Sequence, residues 1–217
     1  MRILNEIFES ILNLFLPLRS DFEIVKNLTE EKILNLPKAE QVLDENWITP
    51  LFKYKDRKVK AIIWELKYKE NILPLETIGK MIYEEIISEI ADVLLFNATA
   101  EFLLLPIPLT EKTKAERGYN QSELIAKAVL ENDIQHKLLY APQWFSKIKE
   151  TEKQSHSNNK IERINNLSNC FRADERVSGK YVFLIDDVVT TGSTLREARK
   201  TLLSMGSVDV FAFTIAH

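Results

Sequence analysis

The sequence predicts an α/β protein, a parallel sheet flanked by helices, with a mainly helical N-terminal segment. Three observations carry this. Predominantly apolar runs occur at FLLLPIPL (102–109), YVFLID (181–186) and VDVFAFTIA (208–216), the pattern of strands buried on both faces. Amphipathic stretches lie between them, so strands and helices alternate along the chain. Between the last two runs, Ser193 stands near the start of a helical stretch and Gly206 is placed to end it.

Taken in order, residues 1–45 read as one or two amphipathic helices broken near Pro17 and Pro37, because proline removes a backbone donor. Residues 46–217 read as the sheet-containing domain. Within it, ITPLFKY (48–54) is a strand. Val59, Ile62, Ile63 and Leu66 recur at helical spacing and predict a helix over VKAIIWELKY. A longer helix follows Pro74, through Ile78, Met81, Ile82, Ile86, Ile87 and Ile90, and SELIAKAVLEN (122–132) is another. The stretch 147–169 is polar and turn-rich, suited to a lid or a partner surface.

Composition bounds the function. A chain of 217 residues fits one medium domain, and 45% hydrophobic with 28% charged residues is ordinary for a globular protein. A net charge of −3 predicts no strong general affinity for nucleic acid or anionic membranes. The single cysteine, Cys170, rules out an internal disulfide and a four-cysteine zinc site, and reads as a small buried residue. His136, His156 and His217 lack ligand spacing, so no protein metal site is assigned. The apolar run ILNLFLPL (11–18) is too short for a bilayer and has acids around it at Glu6, Glu9 and Asp21. It also lacks a signal peptide's basic start and cleavage site, which predicts a docking helix, no membrane insertion and a cytoplasmic setting.

The chemistry concentrates in VFLIDDVVTTGST (182–194). A buried strand running into a helix places this stretch where ligands bind in parallel sheets, beyond the strands' carboxyl ends. There, unpaired backbone N–H groups and the helix dipole attract phosphate. Gly192 permits close approach, and Thr190, Thr191, Ser193 and Thr194 offer hydroxyls. Asp186 and Asp187, one step upstream, are acceptors for vicinal hydroxyls, so phosphate and diol together describe a ribose 5-phosphate. The bland alternative is that Ser193 or Thr194 merely caps the helix. Neither the lysine of a Walker loop nor the three glycines of a dinucleotide fingerprint is present.

LIDDVVTTGST resembles the motif by which type I phosphoribosyltransferases bind phosphoribosyl pyrophosphate (PRPP). Further stretches are similar to the ComF family of that superfamily, named for proteins linked to DNA uptake. These are ELKY (65–68), LPIPL (105–109), ERGYNQSELIAKA (116–128) and the scattered Thr151, Gln154, Arg163, Asn166 and Phe171. Together they cover roughly residues 50–217. The resemblance implies a type I phosphoribosyltransferase-like sheet. It implies that Asp186 and Asp187 hold the ribose hydroxyls, and that the stretch Val188, Val189, Thr190, Thr191, Gly192, Ser193 and Thr194 cradles the 5-phosphate. It assigns the pyrophosphate to Pro106, Ile107, Pro108 and Leu109 and to a basic loop with Lys112, Lys114 and Arg117, of which Arg117 is the best candidate. From the residues alone, the two prolines form only a rigid turn, and the basic loop, diluted by Glu111 and Glu116, only a solvated one.

The implied activity is phosphoribosyl transfer to an unidentified acceptor with loss of pyrophosphate, with Asp186, Asp187 and Arg117 as catalytic residues. Mg2+ is expected with PRPP, held largely through waters. The alternative is an accessory protein for DNA uptake or nucleic-acid handling that holds PRPP or a nucleotide without turnover. Expected partners are PRPP and proteins of those processes, with homodimerisation left open. Many ComF relatives begin with a four-cysteine zinc module. Here Ser20 and Asp21 stand where its first cysteine would fall, so no zinc is expected.

Overall fold

The computed structural model describes residues 18–40, 45–68, 74–149 and 169–217, with the side chains of 18–20, 67 and 68 left aside. The apolar runs form the centre of a five-stranded, all-parallel sheet. Its strands are β1 (Ile48–Phe52), β2 (Phe102–Pro106), β3 (Leu138–Tyr140), β6 (Tyr181–Val188) and β7 (Asp209–Ala216). Their order is β1-β7-β6-β2-β3. A separate antiparallel pair, β4 (Phe145–Lys147) and β5 (Phe171–Ala173), is held by stacked Phe145 and Phe171 rings 4.9 Å apart.

Period-two alternation sorts the β6 side chains between two cores. Phe183 and Ile185 face a cluster with Ile78, Ile82, Ile86, Ile125 and Val129, whereas Val182 and Leu184 face one with Leu195, Ala198 and Leu202. The first cluster belongs to α4 (Leu75–Phe96) and α6 (Gln121–Leu130), the second to α7 (Ser193–Ser204). Both faces are therefore covered, which explains why these strands read as continuous apolar runs. Pro50 is tolerated because β1 lies at the sheet edge.

Two short helices, α1 (Leu18–Lys26) and α2 (Glu30–Leu34), precede β1, and α3 (Arg57–Tyr68) follows it. Val25, Ile33 and Leu36 are buried in the same cluster as Ile62 and Leu66 of α3, so this segment docks on the side of the sheet that carries α4 and α6. The apolar run before it lies, as far as residue 17, outside the described residues. So do His156 and the expected lid residues Thr151, Gln154, Arg163 and Asn166. Among the described residues, no helix is long and apolar enough to cross a membrane.

The stretch expected as a basic loop is instead a short helix, α5 (Glu111–Arg117). The Thr113 N–H donates to the Thr110 side chain at 3.2 Å, and Gly118 ends the helix at φ 85. A capping hydroxyl, an acid in the first turn, bases in the last and a left-handed glycine outweigh the local charge crowding.

Candidate functional site

The topology singles out one crevice. From β2 the chain crosses through α5 and α6 to β3 on one side, and from β6 it crosses through α7 to β7 on the other. Adjacent strands β2 and β6 thus send their connections apart, and Pro106 and Ile185 stand side by side where this happens. In open parallel sheets, ligands bind at such a switch point, beyond the strands' carboxyl ends. Both aspartates lie there, within the last residues of β6 rather than after it.

Asp186 and Asp187 are tied down individually. Asp186 Oδ1 accepts from the Ser122 hydroxyl at 3.0 Å and from the Asp187 N–H at 2.9 Å. Asp187 Oδ1 accepts from the Val188 N–H at 2.8 Å. Both carboxylates are half-buried, so they are positioned by protein yet reachable from the crevice. Ser122 is presented by the α6 N-terminus, where the Asn120 side chain caps the helix by accepting from the Ser122 N–H at 3.0 Å. The Asn120 amide also donates to the Ile107 carbonyl at 2.9 Å, clamping α6 to the end of β2.

Where β6 passes into the loop to α7, Val188 and Val189 already spend their amides within the protein. Val188 donates to Asp187, and Val189 donates to the Ala216 carbonyl at 3.0 Å while its side chain is buried. Beyond them the loop opens. Among the described residues, no acceptor is placed for the N–H groups of Thr190, Thr191, Gly192 or Thr194. The N-cap of α7 is Gly192, at φ 72, with no side-chain cap hydrogen bond. Ser193 is the first helical residue, with its hydroxyl 2.9 Å from that of Thr191. Neither Ser193 nor Thr194 acts as a cap, so the helix terminus offers both its dipole and its donors to an outside anion.

On the β2 side, donors are scarcer than the sequence suggested. Pro106 and Pro108 have no N–H, and the Ile107 N–H donates to the Ile185 carbonyl at 2.8 Å. Within 106–109 that leaves the Leu109 amide. The basic residues are on α5: Lys112 is exposed, Lys114 pairs with Glu123 at 3.4 Å, and Arg117 donates to Gln121 Oε1 at 3.2 Å. Tyr119 donates to the Leu66 carbonyl at 3.0 Å, joining the α5–α6 turn to the end of α3.

Magnesium would be met here by carboxylate and hydroxyl oxygens, the hard donors it prefers. Among the described residues, no three His, Cys, Asp or Glu side chains gather as a metal cage.

Sequence reading missed three partners: Ser122, Arg196 and Glu45. Arg196 donates to the Thr191 carbonyl at 2.7 Å and pairs with Glu45 ahead of β1. Ser122 lay inside the ERGYNQSELIAKA stretch and was legible as a neighbour of the helix start. No local signal joins Glu45 to Arg196.

No family model matches the sequence. The chain is 28% identical over 177 residues to "Competence protein ComFC" of Bacillus subtilis (strain 168), covering 70% of this chain and 69% of that protein. It is 33% identical over 109 residues to "DNA utilization protein YhgH" of Salmonella typhi, covering 49% and 45%. It is 30% identical over 117 residues to "Competence protein ComFC" of Streptococcus pneumoniae (strain ATCC BAA-255 / R6), covering 54% and 49%. The match thus spans about two thirds of the first relative and under half of the other two. These likenesses, to proteins named for competence and for DNA utilization, support the resemblance of the chain to the ComF family.

Proposed function

We propose that the protein binds PRPP at the crevice between β2 and β6 and transfers its phosphoribosyl group to an acceptor nucleophile. The observation that carries this reading is the pairing of two positioned carboxylates with an uncapped, donor-rich helix terminus a few residues on. Asp186 and Asp187 accept from the ribose 2- and 3-hydroxyls. Thr190–Thr194 donate to the 5-phosphate through their open amides and hydroxyls. The bond from the anomeric carbon to the pyrophosphate oxygen breaks, and its electron pair leaves with the pyrophosphate. A bond forms from that carbon to the acceptor, which gives up a proton.

Positive charge gathers on the sugar ring in the transition state, where the Asp186 and Asp187 carboxylates stand. Donors from the Leu109 amide and Arg117 meet the negative leaving group. Bound with PRPP, Mg2+ supplies charge neutralisation on the pyrophosphate. The names of the relatives, competence and DNA utilization, support a role for this chain in taking up or using DNA.

A second reading is a binding module that holds PRPP or a nucleotide without turnover. One observation favours it: the residues 106–108 turn no backbone donor toward the pyrophosphate position. Fold and phosphate cradle alone do not produce chemistry.

Calorimetric titration with PRPP, with and without Mg2+, and with ribose 5-phosphate as control, separates the two. Magnesium-dependent PRPP binding, tighter than that of ribose 5-phosphate, is the expected result. Equal affinity for the two ligands favours the binding module, and no binding of either refutes the site.

A further inference from the structure

The loop assigned above to the 5-phosphate is held from behind by a residue outside that loop. Arg196, on the first turn of α7, directs its guanidinium back toward the loop. Its Nη2 donates to the Thr191 carbonyl at 2.7 Å, and its Nε pairs with Glu45. The Glu45 side chain is 19% exposed and that of Arg196 45%, so the pair is shielded on its Glu45 side and open to solvent on the other.

The Thr191–Gly192 peptide is planar and trans, so its carbonyl and its N–H point in opposite directions. Fixing the Thr191 carbonyl on Arg196 therefore turns the Gly192 N–H to the other side of the loop. That amide is among those with no acceptor placed in the described residues. Gly192 makes the arrangement possible. A Cβ there would lie 3.3 Å from Arg196 Nη2, tighter than ordinary contact, and 3.7 Å from Ile48 Cδ1. A side chain at 192 would thus crowd the brace, on the side of the loop away from the Gly192 N–H.

We infer that Arg196, braced by Glu45, is a positioning residue that presets the phosphate loop by fixing the Thr191–Gly192 peptide. The inference rests on reading that loop as the phosphate cradle. Left to itself, a peptide beside a left-handed glycine can rotate, and each ligand would have to order it. With the brace, that ordering is done during folding, and the segment before β1 takes part in ligand binding without touching the ligand.

The test uses the full chain and the variants Arg196→Ala, Arg196→Lys and Glu45→Gln. Ribose 5-phosphate probes the cradle alone, PRPP with Mg2+ probes the whole site, and hydrogen exchange at the Gly192 amide is followed without ligand. Arg196→Ala should weaken both ligands about tenfold, the scale of one charge-assisted hydrogen bond. It should also speed Gly192 exchange. Arg196→Lys should recover part of the affinity, because one ammonium can reach the carbonyl but does not reproduce the planar fork. Unchanged ribose 5-phosphate affinity in Arg196→Ala overturns the inference and leaves the phosphate cradle intact. A parent protein that binds neither ligand overturns the cradle, and the inference with it. Should Arg196→Ala fail to fold, Glu45→Gln must show a smaller weakening in the same direction, and no change in that variant overturns the inference.

Discussion

Ser122 and Asp186, 64 residues apart in sequence, meet at 3.0 Å where the N-terminus of α6 overhangs the end of β6. The hydroxyl donates, so the contact orients the carboxylate at the crevice. This contact joins one core strand to the helix that follows its neighbour, across the switch point of the sheet. Replacing Ser122 with alanine should weaken PRPP binding by about tenfold or more, the scale of one hydrogen bond to a charged group. Ser122→Thr should restore most of it, and calorimetry on the pair decides the matter.

Replacing both acids, Asp186→Asn with Asp187→Asn, should abolish PRPP binding while moving the melting temperature little. The reason is geometric: an amide oxygen can still accept from Ser122, Asp187 N–H and Val188 N–H, whereas the charge that favours the sugar is gone. Retained affinity in this double variant would remove the diol assignment.

Gly79 tests the packing beneath the site. It lies in α4, and a Cβ added there would come within 2.6 Å of the Ala128 carbonyl carbon and oxygen in α6. Gly→Ala inside a helix ordinarily stabilises by about 0.5–1 kcal/mol. Here overpacking against backbone should dominate, destabilising by about 1–3 kcal/mol. A thermal melt of Gly79→Ala that rises instead of falling would show that the two helices separate freely.

Tyr140 predicts an alkaline limb. Burial, followed by the nearby negative charge of Glu123, pushes its phenol up to about 12. A phenol in the unfolded chain ionises near 10. The folded state therefore holds its proton more tightly, and its contribution to stability is full below about pH 10 and is lost as pH rises toward 12. Denaturant unfolding across that window should show this fall, with a smaller slope in Tyr140→Phe. Identical slopes would assign the loss to other groups.

The sheet was legible because its central strands carry their burial in plain sequence. Phe183 and Ile185 meet one core, Val182 and Leu184 the other, and no polar residue interrupts them. The short strands β3, β4 and β5 were not, since three residues each give no periodicity to count. Helix α5 was missed for a different reason. Its cap, Thr110, and its stop, Gly118, are both visible, but the clustered charges of KTKAER drew the eye to a loop. The DDVVTTGST stretch announced itself through the abrupt change from apolar to acid to hydroxyl. Its support did not, because Arg196 and Glu45 are 151 residues apart and look like ordinary surface charges.

The place of β7 has a consequence for the order of assembly. It lies between β6 and β1, pairing Asp186 with Thr214 on one side and Ile48 with Ala212 on the other. On a ribosome, β1 emerges more than 150 residues before the strand it pairs with, and must wait. Pairings of such sequence separation are slow to form, because a long loop must close before any contact rewards it. The Val189 amide can reach its acceptor, the Ala216 carbonyl, only when that strand arrives. Until then the loop carrying Thr190–Thr194 has lost one of its anchors, and the nascent chain would be unready for ligand. A ligand that binds only the finished cradle would then act as a reporter that β7 has been made and has docked.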